Sequence, residues 1–206
     1  LGLPPSGFVF CCFNNSYKIT PGTFDSWMRI LRGVEGSVLL LYASDPDVES
    51  NLRAEAVARG VDAGRLVFGR RLPAEEYLAR YRAADLALDT FPYNAGTTAS
   101  DALWAGVPLV TLAGESVAGR VAASVLNAVG LPELVTTVRE DYEALAVRLG
   151  TDPAQLAAIR HKLDRNRLTT PLFDSARFAR SLETAFARMY ERHHAGQRPE
   201  HIEVPV

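Results

Sequence analysis

Residues 85–112 read DLALDTFPYNAGTTASDALWAGVPLVTL. The stretch opens with a short apolar run, Asp85 to Leu88, and passes through a polar turn at Asn94-Ala95-Gly96. Thr97 to Ala105 then has helical character closed by Gly106, and Pro108 to Leu112 is a second apolar run. Strand, loop, helix and strand in so short a span make a βαβ unit, whose strands lie parallel. Working outward, the same alternation recurs. Phe8 to Phe13 (FVFCCF), Ser37 to Tyr42 and Arg65 to Phe68 are apolar runs, continuous rather than alternating, as in strands buried on both faces of a parallel sheet. Between them fit helices. Thr20-Pro21 supplies an N-cap and a first-turn proline, with Phe24, Trp27, Ile30 and Leu31 following on one face. Asp47 to Arg59 ends at Gly60, Pro73 to Ala83 makes a third helix, and Ser116 to Val129 ends at Gly130. The expectation is an α/β fold, a doubly wound parallel sheet of five or six strands with right-handed crossovers.

Beyond about residue 135 the pattern turns helical, with Glu140 to Leu149, Pro153 to Leu168 and Phe173 to His194. The last carries Phe178, Leu182, Ala185, Phe186 and Met189 on one stripe, which reads as a packing face turned back towards a missing partner lobe. Residues 1–206 thus read as one domain: sheet and helices over 8–135, a helical cluster over 136–195, and a tail over 196–206, an extended strap or disordered. Composition fits. With 206 residues, 48% of them hydrophobic, a sizeable core can form, and a net charge of -2 excludes a generally basic nucleic-acid binder. Two adjacent cysteines, Cys11 and Cys12, do not make a disulfide scaffold. No apolar stretch is long enough for a membrane span, and no signal peptide opens the chain. The chain reads as cytoplasmic, with neither nucleic acid nor membrane as partner. Its Leu1 start reads as that of a piece cut from something longer.

Open parallel sheets bind ligands at the carboxyl ends of their strands, where the strand order reverses. The loop after the first strand, Asn14-Asn15-Ser16-Tyr17-Lys18, carries one of only two lysines among 22 basic residues, the other being Lys162. A lysine there suits a phosphate or carboxylate, or simply a solvated loop. After the fourth strand, Gly96 permits close approach of the backbone, and Thr97 and Thr98 bring free amides and hydroxyls to a helix start, an anion site suited to a diphosphate. Asp101, one turn on, can accept from ribose hydroxyls. An ordinary capped helix explains each residue singly; together with Lys18 they favour a nucleotide-diphosphate site. Leu72, Tyr77 and Arg80 offer a base pocket, Tyr77 stacking and Arg80 donating, against the alternative of a plain amphipathic surface helix.

Other chemistries are poorly supported. No G-x-G-x-x-G or P-loop pattern occurs, and Gly114-Glu115-Ser116 is not a nucleophile elbow. His161, His193, His194 and His201 lack metal-ligand spacing, and Asp45-Pro46-Asp47 suits a helix start better than a metal pair. No metal site is expected. Arg120 reads as helix surface or a second anion donor.

The runs FCCFNNSYKITPGTFDSWMRIL, DLALDTFPYNAGTTASDALWAGVPLVTLAGESVAGRVAASVLNAVGL and LGTDPAQLAAIRHKLDRNRLTTPLFDSARFARSLETAFARMY resemble the C-terminal catalytic lobe of the O-linked N-acetylglucosamine transferase family (glycosyltransferase family 41), which includes SPINDLY-type O-fucosyltransferases. The resemblance is to a bacterial member and spans residues 8–195. It implies the second, Rossmann-like domain of a GT-B enzyme, behind an N-terminal lobe and helical (TPR) repeats of the same chain. It implies an inverting, metal-independent transfer of sugar from a UDP-sugar, UDP-N-acetylglucosamine, to Ser/Thr hydroxyls of a protein or peptide. The alternatives are GDP-fucose-dependent O-fucosyl transfer and a non-catalytic nucleotide-sugar-binding module. Residue by residue, the resemblance gives Lys18 to the diphosphate as the catalytic lysine, with Asn15 beside it. It gives Thr97 and Thr98 to the diphosphate, Asp101 to the ribose, and the Leu72 backbone, Tyr77 and Arg80 to uracil. Three positions depart from the animal enzyme. Gly96 replaces a histidine, Ala74 a lysine that helps hold the ribose, and Tyr77 a histidine that packs on uracil. The diphosphate grip is retained while base and ribose contacts differ.

Overall fold

β1 (Val9–Cys12) buries all four of its side chains, alternately on the two faces of the sheet. Val9 and Cys11 join one apolar layer while Phe10 and Cys12 join the other. This central strand therefore needs cover on both sides, and the rest of the chain supplies it. The computed structural model describes residues 2–204. Its strands β2 (Val38–Tyr42), β3 (Leu66–Gly69), β4 (Leu86–Leu88), β5 (Leu109–Leu112) and β6 (Val135–Thr136) flank β1 in the order β3-β2-β1-β4-β5-β6, and every pairing is parallel. The order reverses between β1 and β4. The expected doubly wound sheet is present with six strands.

Helix α1 (Pro21–Gly33) starts where Thr20 caps the amide of Thr23, and its buried face carries Phe24, Trp27, Met28, Ile30 and Leu31. It packs with α6 (Arg139–Thr151) over one face of the sheet. Two glycines set that contact. A Cβ on Gly33 would lie 2.8 Å from Val147 Cγ2, and one on Gly150 would lie 2.8 Å from Val34 Cγ2. On the other face sit Tyr81 and α4 (Thr97–Trp104), which contributes Ala99 and Ala102. α2 (Pro46–Ala58) follows β2, capped by Asp45, so Asp45-Pro46-Asp47 is a helix start. α3 (Ala74–Arg80) tightens into a 3-10 turn over Tyr81–Ala83.

Two expectations are corrected. The helix foreseen from Ser116 begins only at Val121, as α5 (Val121–Ala128). Residues 114–119 close instead into a turn, in which the Gly114 amide donates to the Gly119 carbonyl (2.7 Å) and Ser116 Oγ accepts from the Gly119 amide (3.1 Å). The region after 135 is not wholly helical, because Val135–Thr136 adds the edge strand β6. Two residues are too few for a periodicity to show. The stripe on α8 (Ser175–His194), which follows α7 (Pro153–Asn166), stays largely exposed, as a face meant for a partner lobe would. α8 has no buried residue, and Phe178 is 68% exposed and Phe186 57%. Amphipathicity marks a face that wants a partner without saying whether the partner lies in the same chain.

Over its described part the tail forms neither helix nor strand and runs beside the end of α8. Arg192 pairs with Glu200 and donates to the Arg198 carbonyl (2.8 Å), and Arg188 donates to the Glu203 carbonyl. Residues 205 and 206 lie outside the described residues. No helix among the described residues is long and apolar enough to cross a membrane. Cys11 and Cys12 are buried free thiols, both with pKa raised by desolvation, Cys12 to about 12.

Candidate functional site at the strand-order switch

The reversal of strand order separates the loops after β1 and β4, leaving a crevice at their carboxyl ends. Residues that bridge it define the site. The loop after β1 makes a 3-10 turn over Ser16–Lys18, and Lys18 Nζ reaches across to donate to the Asn94 carbonyl (2.9 Å), 3.9 Å above the centre of the Tyr93 ring. Buried Asn14 bridges the same gap. Its Nδ2 donates to Thr90 Oγ1 (2.8 Å), and its Oδ1 accepts from the Thr98 hydroxyl. Thr20 Oγ1 adds another tie by donating to the Phe91 carbonyl (3.2 Å).

α4 begins at Gly96 with no side-chain cap. Ala99 and Ser100 donate back to the Gly96 carbonyl, whereas no described residue accepts from the amides of Gly96, Thr97 and Thr98. Unpaired amides at the positive end of a helix attract an anion. A Cβ at Gly96 would meet only Val121 Cγ1 at 3.7 Å, so the backbone there is not hemmed in by protein. Thr97 is exposed, while the Thr98 hydroxyl is spent on Asn14, leaving Thr98 its amide alone. That is a finer assignment than the sequence permits.

From Thr98 a chain of polar contacts runs to the third helix. The Thr98 carbonyl accepts from Tyr81 OH (3.1 Å), which shares a hydrogen bond with Tyr77 OH (3.1 Å). Tyr77 in turn acts on Asp101, whose carboxyl pKa is raised by burial and partly held down by the Tyr77 hydroxyl. The Tyr77 and Phe13 rings meet edge to face, their centres 6.0 Å apart. Arg80 is buried and lies over Gly69, where an added Cβ would come within 2.7 Å of its Nη1, and it donates to the Arg70 carbonyl. It anchors the loop that carries Leu72 rather than lying on a surface face. Half-buried Leu72 keeps amide and carbonyl free of partners among the described residues, and the exposed Asn15 side chain makes no capping bond.

The sequence did not single out Asn14, Asp89, Tyr93 or Asn94. Asn14 and Thr98 meet across 84 positions, a distance at which no local pattern reports contact. Asp89 is fully buried, with Oδ1 accepting from the Thr90 and Ala95 amides and Oδ2 from the Thr111 hydroxyl. Desolvation pushes its pKa up to about 7 against these bonds. Its placement directly after a strand was the one available signal. Arg120 is exposed at the start of α5. No group of three His, Cys, Asp or Glu side chains able to hold a metal occurs among the described residues.

The sequence model for glycosyl transferase family 41 matches residues 1–182. The chain belongs to glycosyl transferase family 41. Within that family it is 42% identical to the UDP-N-acetylglucosamine--peptide N-acetylglucosaminyltransferase of Caenorhabditis elegans, over 97% of this chain and 17% of the relative. It is 39% identical to a probable enzyme of the same name, SEC, of Arabidopsis thaliana, over 98% of the chain and 21% of the relative. Among solved structures it superposes on the K341M mutant of the Thermobaculum terrenum O-GlcNAc transferase with a TM-score of 0.84 and 38% identity, over 91% of this chain and 38% of that one. The family 41 segment described here thus spans about a fifth of the curated relatives' length.

Proposed function

We propose that this chain is the nucleotide-sugar-binding lobe of a protein glycosyltransferase that takes UDP-N-acetylglucosamine and serves transfer to Ser or Thr hydroxyls, with inversion at the anomeric carbon. The observation that carries the reading is the start of α4. Three unpaired amides at Gly96–Thr98 are tied through Asn14 and Asn94 to the loop bearing Lys18. Charge that develops on a departing diphosphate needs preorganised donors, usually the largest catalytic contribution. The helix start and the Lys18 ammonium supply them without a metal. The names of the relatives support the donor and the peptide acceptor. Deprotonation of the acceptor hydroxyl falls to groups outside this chain. The four histidines lie on α7, at the end of α8 and in the tail, away from the crevice. An N-terminal lobe with helical repeats is the partner that completes the enzyme.

The test is calorimetry of UDP binding. Loss of a charge-assisted contact of about 1.5–3 kcal/mol makes Lys18→Ala bind at least about tenfold more weakly, and equal affinity refutes the assignment. EDTA is expected to leave binding unchanged. Thermal stabilisation by UDP above GDP is expected, and the reverse order turns the reading toward GDP-fucose. The isolated chain is expected to bind nucleotide without transferring sugar; measurable transfer refutes the division of labour.

A further inference from the structure

Asp89 lies beneath the crevice, yet the loop that forms the crevice is wound around its carboxylate. Oδ1 accepts from the amides of Thr90 and Ala95, both at 2.7 Å, so one oxygen closes residues 90–95 into a ring. Oδ2 accepts from Thr111 Oγ1 on β5 at 2.6 Å, which fixes the ring to the neighbouring strand. Inside the ring, Thr90 Oγ1 donates to the Tyr93 carbonyl (2.7 Å) and Asn94 Nδ2 to the Thr90 carbonyl (2.9 Å). From the other side, Tyr142 OH donates to the Asp89 carbonyl (3.0 Å) while accepting from Trp27 Nε1 (3.0 Å).

The ring has two outward consequences. It presents the Asn94 carbonyl on which Lys18 Nζ rests, and it delivers Ala95 directly into Gly96, the first of the unpaired amides. Thr90 Oγ1 is also the atom to which Asn14 donates, so the second tie between the loops starts from the same ring.

We propose that Asp89 is a positioning residue for the diphosphate, its carboxylate holding the 90–95 ring so that Lys18 and the amides at the start of α4 converge on one anion. The proposal rests on the nucleotide reading above and adds to it a group that never touches the ligand. A ring held by one oxygen of a buried side chain is preorganised before the ligand arrives, and preorganisation saves the ordering cost of binding.

The experiment is calorimetry of UDP-N-acetylglucosamine against the 206-residue chain, in which its diphosphate, linked at both ends, has no ionisation near neutral pH to confuse the comparison. Wild type, Asp89→Asn, Asp89→Ala, Lys18→Ala and the Lys18→Ala/Asp89→Ala double variant are compared well below their unfolding temperatures. Asp89→Ala opens the ring, and its affinity is expected to fall by about tenfold. Asp89→Asn keeps an oxygen for both amides, and Thr111 Oγ1 can turn to accept from the new amide nitrogen, so affinity is expected within about threefold of wild type. If Asp89 acts through Lys18, the Lys18→Ala loss is smaller in the Asp89→Ala background than in wild type. A merely structural role lowers the unfolding temperature but leaves the affinity of the folded protein and the additivity of the two substitutions intact, and either result overturns the proposal. Where Asp89→Ala does not fold, Asp89→Ser decides instead. Its hydroxyl is too short to serve both amides, and wild-type affinity in that variant overturns the proposal equally. No loss in Lys18→Ala refutes the underlying nucleotide reading; loss there with none at Asp89 refutes the positioning role alone.

Discussion

Asp89 concentrates the residue-scale physics of this chain. Its carboxyl is removed from water, and desolvation outweighs three donated hydrogen bonds and the nearby Lys18, raising the pKa from 3.8 to about 7. Cys12 on β1 and Tyr142 on α6 face the same carboxyl, both neutral with their own pKa values raised by burial. Between pH 4 and pH 7 the folded chain therefore holds a proton that the unfolded chain releases. Stability from this group is present at low pH and is lost as pH rises through about 7. From pH 8 to pH 6 it adds about 1 kcal/mol. Thermal unfolding is expected to show that gain in wild type and to lack it in Asp89→Asn; an equal pH response in both removes Asp89 as its source. The same residue marks how far the sequence can be read. Lys18, Gly96, Thr97 and Asp101 announce themselves by residue type after a strand or at a helix start. Asn14 and Asp89 do not, because their importance lies in partners that only the folded sheet brings near. Arg80 was legible by type and spacing, but its burial against Gly69 and its bond to the Arg70 carbonyl were not, because both partners lie outside its helix.

At the scale of elements, the contact between α1 and α6 depends on two missing side chains. Gly150 faces Val34 Cγ2 at 2.8 Å and Phe10 Cζ at 3.1 Å from the point where a Cβ would stand, and Gly33 faces Val147 in the same way. Alanine gains up to about 1 kcal/mol of helix propensity over glycine, but overpacking costs about 1–3 kcal/mol. The contact lies directly beneath β1, where relaxation is limited. Gly150→Ala is expected to lower the unfolding temperature by about 2–4 °C; an unchanged or higher value means that the helices separate without cost. Element type and order were legible because parallel strands buried on both faces leave continuous apolar runs. Helix starts were legible at Thr20-Pro21 and Asp45-Pro46, where cap and proline coincide. The false start at Ser116 arose because the pattern of α5 runs back into a segment that Gly114 and Gly119 close as a turn. β6 was invisible as a strand because it is two residues long and joins the sheet only through β5.

Over the whole molecule, the apolar stripe of α8 is the main part left without cover. Phe178, Leu182, Phe186, Met189 and Tyr190 are all exposed, so they add little to the stability of this chain. Phe178→Ser and Phe186→Ser are expected to change unfolding free energy by less than about 0.5 kcal/mol, measured by denaturant titration; a larger loss means the helix is docked on its own domain. The strand order carries a consequence of another kind. Every tie that makes the crevice spans a long stretch of chain: Lys18 to Asn94 and Asn14 to Thr90 each bridge 76 positions, and Asn14 to Thr98 bridges 84. The β1–β2–β3 half needs only chain up to Gly69. During synthesis that half can pair first, while the crevice must wait until Thr98 has emerged, because non-local contacts repay loop-closure entropy only once both ends are present. The proposed grip on a diphosphate is therefore the joint between an early-folding and a late-folding half, and a nascent chain that ends short of β4 has an ordered β1 with nothing across from it to hold.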